Sequence, residues 1–141
     1  MKRVMTMVVA VLLTAGVAAQ SGAVKPAAKF DGQWRVTTIN GGSPEDMAGG
    51  EMVLVIAGGK YQQLIGAVLT EEGTITIDAS KVPAHVDLAI GTGPDAGKNQ
   101  RGLLEVKGDV MTMTLSMPDA DPARTPTLTE GALVVAAARI K

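Results

Sequence analysis

The only histidine of the chain, His85, is followed two residues later by Asp87. Since alternate residues of a β-strand share a face, an imidazole and a carboxylate at this spacing could hold a metal ion or act as a base and its orienting acid. One histidine and one aspartate supply too few ligands for zinc. We therefore interpret both side chains as part of a polar strand face opposite Val86 and Leu88, and the sequence predicts no metal site.

Two further segments contain residues typical of phosphate or calcium sites. Residues 92–99, TGPDAGKN, are similar to a phosphate-binding loop, but they lack its first glycine and the serine or threonine after Lys98. Asp119 and Asp121 could bind calcium, but the glycine and the closing glutamate of an EF-hand loop are absent around them. Turn formation explains both segments better.

The residue types needed for covalent or acid–base catalysis are present without the required arrangement. Ser43, Ser80 and Ser116 lie outside any Gly-x-Ser-x-Gly motif and suit turn or strand positions. Glu71 and Glu72 are adjacent, so in a strand they point to opposite faces and do not form a carboxylate pair. The sequence therefore predicts a protein that is not an enzyme and needs no cofactor.

Methionine is the residue type that best suits an adaptable binding surface, because its side chain is flexible and polarisable. Ordinary core packing is the alternative, since Phe30, Trp34 and Tyr61 are the only aromatic residues. The methionines that follow the N-terminal segment are Met47, Met52, Met111, Met113 and Met117.

The N-terminus has the pattern of a secretory signal peptide. Lys2 and Arg3 precede an uncharged run from Val4 to Val17, which is shorter than the roughly 20 residues that span a membrane. Small residues then precede Gln20, where we expect cleavage. Residues 1–19 are therefore predicted to direct export to the periplasm or the extracellular space, with an uncleaved membrane anchor as the alternative.

The composition of the remaining chain restricts its partners. Of 13 basic residues, 11 remain after cleavage against 14 acidic ones, a net charge of −3. This charge disfavours nucleic acid and, after cleavage, a membrane surface as partners. The chain contains no cysteine, so a thiol nucleophile and a lipid anchor on cysteine are excluded. Residues 20–29 are predicted to be a flexible tether and residues 30–141 one folded domain.

From residue 30 onward, short runs of β-branched and aliphatic residues alternate with glycine, proline and aspartate. This spacing predicts an all-β, antiparallel up-and-down barrel of about eight strands. Ser43 and Pro44 predict a short helical turn after the first strand. In the first strand we expect Trp34, Val36 and Thr38 to share a face, with Trp34 buried at one end of the barrel. The predicted strands are 33–39, 51–57, 60–67, 70–78, 85–90, a sixth ending near 106, a seventh around 111–116, and 133–140.

The opening FDGQWRV, residues 30–36, resembles the hydrophobic-x-Gly-x-Trp-x-Val start of lipocalin-like domains. Over residues 30–140 the chain resembles an uncharacterised secreted lipocalin-like family abundant in planctomycetes and acidobacteria. Ile75 and Leu104 depart from it, since that family commonly has aromatics there, and the segment after Pro118 matches poorly. The resemblance implies a lipocalin-like barrel and carries no established activity. The other matching blocks are 72–83, 86–88, 93–98 and 102–109.

These observations favour a non-catalytic exported barrel that binds a small apolar ligand. The alternative is a structural or protein-interaction module with a filled barrel, whose partner would be another envelope protein. The sequence leaves the oligomeric state open. If the barrel holds a ligand, we expect the cavity to be lined by Met111, Met113, Leu115, Ile75, Ile77, Val86 and Leu88.

Overall fold

A computed structural model describes residues 29–120 and 132–141. The predicted signal peptide, and all of the predicted tether except Lys29, lie outside these ranges. The described residues form eight strands and one short helix, α1. Their bounds are β1 Gly32–Ile39, α1 Pro44–Ala48, β2 Met52–Ala57, β3 Lys60–Ile65, β4 Val68–Asp78, β5 Ala84–Ile90, β6 Asn99–Lys107, β7 Val110–Leu115 and β8 Leu133–Arg139.

The strands form a closed antiparallel barrel in sequence order, with β8 pairing back onto β1. The predicted all-β up-and-down barrel is confirmed. The predicted helical turn is confirmed as well: the backbone N–H of Asp46 donates to Ser43 Oγ at 3.2 Å, Pro44 opens α1, and Gly49 ends it in the left-handed conformation. Because neighbouring strands are antiparallel, successive connections alternate between the two ends of the barrel.

We call the end that carries the 58–59, 79–83 and 108–109 connections the closed end, and the end that carries α1 and the 91–98 loop the open end. The tight turn at the closed end of β2 and β3 is made by Gly58 and Gly59 at φ 57° and 78°. Two consecutive positive φ angles match the right-handed twist of a hairpin, and glycine adopts them without a steric penalty.

β1 departs from the predicted alternation near its end. Trp34 and Val36 are buried as expected, but the register against β8 shifts between Val36 and Thr38. This bulge adds one residue to β1, so Ile39 becomes buried and Thr38 is left half-buried. The expectation that Thr38 continues the face of Trp34 and Val36 is wrong, because a bulge reverses the alternation after it.

The closed end is filled by residues at the start of β1 and the end of β8, together with the residues that precede β1. Trp34 is fully buried, and its indole N–H donates to the Phe30 carbonyl oxygen at 2.9 Å. The guanidinium of Arg139 lies over the indole, 4.2 Å from the ring centroid. Arg139 also donates to the carbonyl oxygens of Asp31 and Lys29, at 2.8 and 2.7 Å. The predicted burial of Trp34 at one end of the barrel is confirmed.

Candidate ligand-binding cavity

The interior of the barrel is filled at the closed end and hollow towards the open end. A cavity of about 250 Å³ lies in the hollow part, and every strand contributes to its wall. Three further depressions, whose linings include Asp87, Gln62 and Val53, are more open to solvent. The interior cavity is therefore the candidate site.

The seven interior residues expected from the sequence divide between the two halves of the barrel. Ile75, Leu88, Met113 and Leu115 line the cavity. The other three do not line it but belong to the packed core. They are Val86 and Met111, which have no exposed surface, and Ile77, which is half-buried against the core.

The structure adds apolar lining residues that the sequence did not single out for the cavity. Ile39 reaches it because of the bulge in β1, and Leu133 and Val135 enter from β8. Met52 from β2 and Met117, after β7, also line it. Three methionines thus face the cavity, counting Met113, whereas Met111 packs in the core and Met47 is exposed at the open end.

Glu71 is the charged strand residue in the wall of the cavity. Its carboxylate accepts a hydrogen bond from the Tyr61 hydroxyl at 2.8 Å. Burial, and then the bond to Glu71 and its negative charge, raise the pKa of Tyr61 well above the usual range of a tyrosine. The phenol therefore stays protonated and acts as a donor. Gly73, opposite Tyr61 across the strand pair, leaves room for the ring, since a Cβ atom there would lie 3.0 Å from it.

The inward position of Glu71 has a signal in the sequence. Glu71 lies four and six positions before Ile75 and Ile77 in β4, which were expected to point inward. An even separation in a strand places a side chain on the same face. Its neighbour Glu72 points outward and accepts from the Gln62 side chain at 3.4 Å. The prediction that the two carboxylates face opposite sides is consistent with these partners.

Two glutamines also belong to the polar part of the wall. Gln100 is 9% exposed, and its amide nitrogen donates to the Ser116 carbonyl oxygen at 2.9 Å. Gln63 uses its amide nitrogen in the same way, on Thr70 Oγ1 at 3.2 Å. Each side chain is held to the protein through one of its two amide N–H groups.

The 91–98 loop folds against the open end and contributes Asp95 to the cavity wall. Gly93 lies so close to β4 that a Cβ atom would come within 2.9 Å of the Thr70 carbonyl oxygen, at a φ of 98°. On the solvent side, Asp95 is paired with Lys98 at 3.0 Å, and this hydrogen bond raises the pKa of Lys98. This is the segment similar to a phosphate-binding loop, and here it is a turn between β5 and β6.

The residues considered from the sequence as metal ligands lie away from the cavity or outside the described residues. His85 and Asp87 lie on the outer face of β5, opposite the buried Val86. The Asp119 carboxylate accepts from the Asn99 backbone N–H at 3.0 Å, which ties the chain after β7 to β6. Asp121 lies outside the described residues. Within residues 29–120 and 132–141, no three histidine, aspartate or glutamate side chains form a group that could hold a metal ion.

The three serines also have structural roles. Ser43 caps α1, Ser80 donates to Asp78 in the turn after β4, and the Ser116 hydroxyl accepts from the Arg101 backbone N–H. Ser80 lies in a turn as predicted, whereas Ser43 lies just before α1 and Ser116 just after β7.

No protein-family model matches the chain, and neither curated proteins nor solved structures include a detectable match. Helices in the described ranges are too short and too polar to cross a membrane. What the fold and the cavity define is a small closed antiparallel barrel with one hollow end, and the case for function rests on that cavity.

Proposed function

We propose that this protein is a non-catalytic binding protein that holds a small, largely apolar ligand in the open half of its barrel. The observation that carries the proposal is the cavity of about 250 Å³, whose wall is mostly apolar and includes residues from all eight strands. Ligand sites are typically concave and largely apolar, with a few polar groups that orient the ligand. This cavity has that composition.

The size of the cavity limits the ligand. An apolar cavity of about 150 Å³ in a protein interior accommodates benzene, so 250 Å³ corresponds to a ligand of roughly ten non-hydrogen atoms. The packed closed half supports a preformed site, because Trp34, Met111 and Val86 are completely buried there and fix the strands that continue into the cavity wall. A binding role therefore requires no rearrangement of the barrel.

The polar groups of the wall favour binding over catalysis. Tyr61 keeps its proton and donates a hydrogen bond to Glu71, and the two glutamines are held by backbone or hydroxyl partners. Such fixed hydrogen-bonding groups orient a ligand, whereas covalent catalysis needs a nucleophile with an adjacent base.

The proposal includes export and the family relationship. The signal-like residues 1–19 support a location in the periplasm or outside the cell, and the net charge of −3 after cleavage favours a soluble protein. The FDGQWRV opening and the barrel support a relationship to lipocalin-like domains.

The test is the binding of propylbenzene, a neutral probe of suitable size, to the purified protein by calorimetry. We expect saturable binding with near-unit stoichiometry. Met113→Trp fills the cavity from β7 and should abolish binding, while Val110→Trp, at an exposed position of the same strand, should leave it unchanged.

The filled-barrel alternative makes the opposite predictions. Propylbenzene would not bind, and Met113→Trp would destabilise the protein by about 1–3 kcal/mol, as overpacking of a dense core does. That pair of results would refute the binding proposal and support a structural or protein-interaction module.

A further inference from the structure

We infer that the ligand is a small apolar amine, held with its ammonium group against Glu71 and its apolar part deeper in the barrel. This inference rests on the proposed function, since it specifies the chemistry of the same cavity. The evidence is the type, the position and the charge of the polar groups in the wall.

The strongest hydrogen-bond acceptor that the wall of the cavity offers to a ligand is the carboxylate of Glu71. The Tyr61 hydroxyl is already donated to Glu71 Oε1, which leaves Oε2 of the same carboxylate to accept from a ligand. Gln63 and Gln100 direct their amide nitrogens to protein oxygens. Glu71 Oε2 can only accept, so a ligand that donates hydrogen bonds would pair with it, whereas a ligand that only accepts would place its oxygen against a carboxylate.

The charged side chains that line the cavity are acidic. Within the described parts of the chain, no lysine or arginine lines the cavity, and two carboxylates do. Asp95 is paired with Lys98 at 3.0 Å, so its charge is compensated from the rim. Glu71 has a neutral tyrosine as its hydrogen-bond donor, so its negative charge is not compensated by that partner. A carboxylate that is partly removed from water favours a cation beside it.

The charged and amide side chains of the wall lie near the mouth of the cavity, and apolar ones lie deeper. β4 runs from the open end to the closed end, so Glu71 lies nearer the mouth than Ile75. Gln100, near the start of β6, and Asp95, in the 91–98 loop, are at the same end. Deeper in the cavity the wall consists of Ile75, Leu88 and Met113. The cavity is therefore polarised along its axis, as expected for a ligand with one cationic head and one apolar body.

The experiment compares four probes of similar size by calorimetry: 2-phenylethylamine, 2-phenylethanol, propylbenzene and phenylacetate. The amine should bind about tenfold to a hundredfold more tightly than propylbenzene, which corresponds to one charge-assisted hydrogen bond. The alcohol should be intermediate, and phenylacetate should bind more weakly than propylbenzene.

The variants separate a local contact from the general effect of charge. Glu71→Gln keeps an acceptor for Tyr61 and should reduce the affinity for the amine to that for propylbenzene, without weakening propylbenzene itself. Glu72→Gln changes the net charge equally at an adjacent outward position, and should leave the preference for the amine intact. Circular dichroism confirms that each variant is folded, and the wild-type series alone decides the question if Glu71→Gln does not fold.

The outcomes distinguish the two proposals. If propylbenzene binds and the amine binds no more tightly, the amine inference is wrong and the proposed function stands. If Glu72→Gln removes the preference as fully as Glu71→Gln does, the preference comes from net charge and the inference is again wrong. If none of the four probes binds, the proposed function itself is refuted.

Discussion

Arg139 joins the last strand to the residues that precede the first one, and its replacement tests how the closed end is held together. Its two terminal nitrogens donate to the carbonyl oxygens of Asp31 and Lys29, and its guanidinium covers the Trp34 ring. Arg139→Met keeps an apolar stem over the indole and removes both hydrogen bonds and the charge. Arg139→Lys keeps the charge but replaces the planar fork by a single ammonium group.

The loss of stability expected on replacing Arg139 follows from these contacts. Each bond from the guanidinium to a backbone carbonyl contributes about 1 kcal/mol once its exposure is taken into account, because the side chain is 28% exposed. The cation–π contact adds about 1 kcal/mol. The ion pair of Arg139 with Asp109, 3.8 Å away and half-exposed, contributes little. Arg139→Met should therefore lower the free energy of unfolding by about 2–3 kcal/mol, and Arg139→Lys should lower it by about half as much.

The assay is urea unfolding followed by the fluorescence of Trp34, the only tryptophan of the chain. For a domain of roughly 100 residues, this loss corresponds to a fall in Tm of roughly 10 °C. Asp109→Asn is the matched control, since it removes only the exposed ion pairs of Asp109 with Arg139 and Lys141, and it should change stability by less than about 0.5 kcal/mol. A loss below about 0.5 kcal/mol in Arg139→Met, or a lysine variant as stable as the wild type, would refute this account of the closed end.

Trp34→Ala should lower the free energy of unfolding by about 3–5 kcal/mol, measured by urea unfolding with circular dichroism as the signal. A loss below about 1 kcal/mol would mean that the indole does not anchor the core. Gly102→Ala should destabilise the barrel strongly in urea titrations, because a Cβ atom would overlap the Thr114 carbonyl oxygen; near-neutral behaviour would contradict that contact. His85→Ala should change stability by less than about 0.5 kcal/mol, and a loss above about 2 kcal/mol would reveal a buried network. Tyr61, the only tyrosine, should form tyrosinate in the native protein only well above pH 10, but near pH 10 in urea.

The last prediction has a consequence for stability, because the folded state holds the Tyr61 proton more tightly than the unfolded chain does. The contribution of this group is complete below the ordinary tyrosine pKa of 10.0 and is lost progressively as the pH rises above that value. Tyr61→Phe should lack this alkaline component. Equal alkaline losses in both proteins would assign the effect to other groups.

The strand alternation in the sequence was sufficient to predict the barrel, since each strand buries every second residue against the core. It failed first in β1, where the bulge between Val36 and Thr38 brings Ile39 inward. The residues around the bulge are all compatible with a regular strand. The need for the extra residue comes from the pairing with β8, which a linear pattern does not contain.

The sequence predicted which side chains of the candidate site point into the barrel, but not how far each lies from its closed end. Alternation shows that Met111 and Met113 point inward, but not how far each lies from the packed end. Depth depends on the stagger of the strands around the barrel, which places Met111 beside Ala137 and Met113 beside Val135. Glu71 was within reach of the same reasoning, because its parity matches that of Ile75, but a carboxylate inside a barrel contradicts the usual preference for burying apolar residues.

The pairing of β1 with β8 also bears on how the chain folds. All other strand pairs join neighbours along the sequence, so each can form as a local hairpin, whereas closure must bring Trp34 to Arg139. Contacts between distant residues slow folding, because the entropy of the intervening loop is lost before they form. The two ends of the described chain lie side by side at the closed end. A circular permutant that joins them through a short linker and opens the chain at Gly58 and Gly59 would make the β1–β8 pair a local hairpin, and would transfer the slow closure step to β2 and β3.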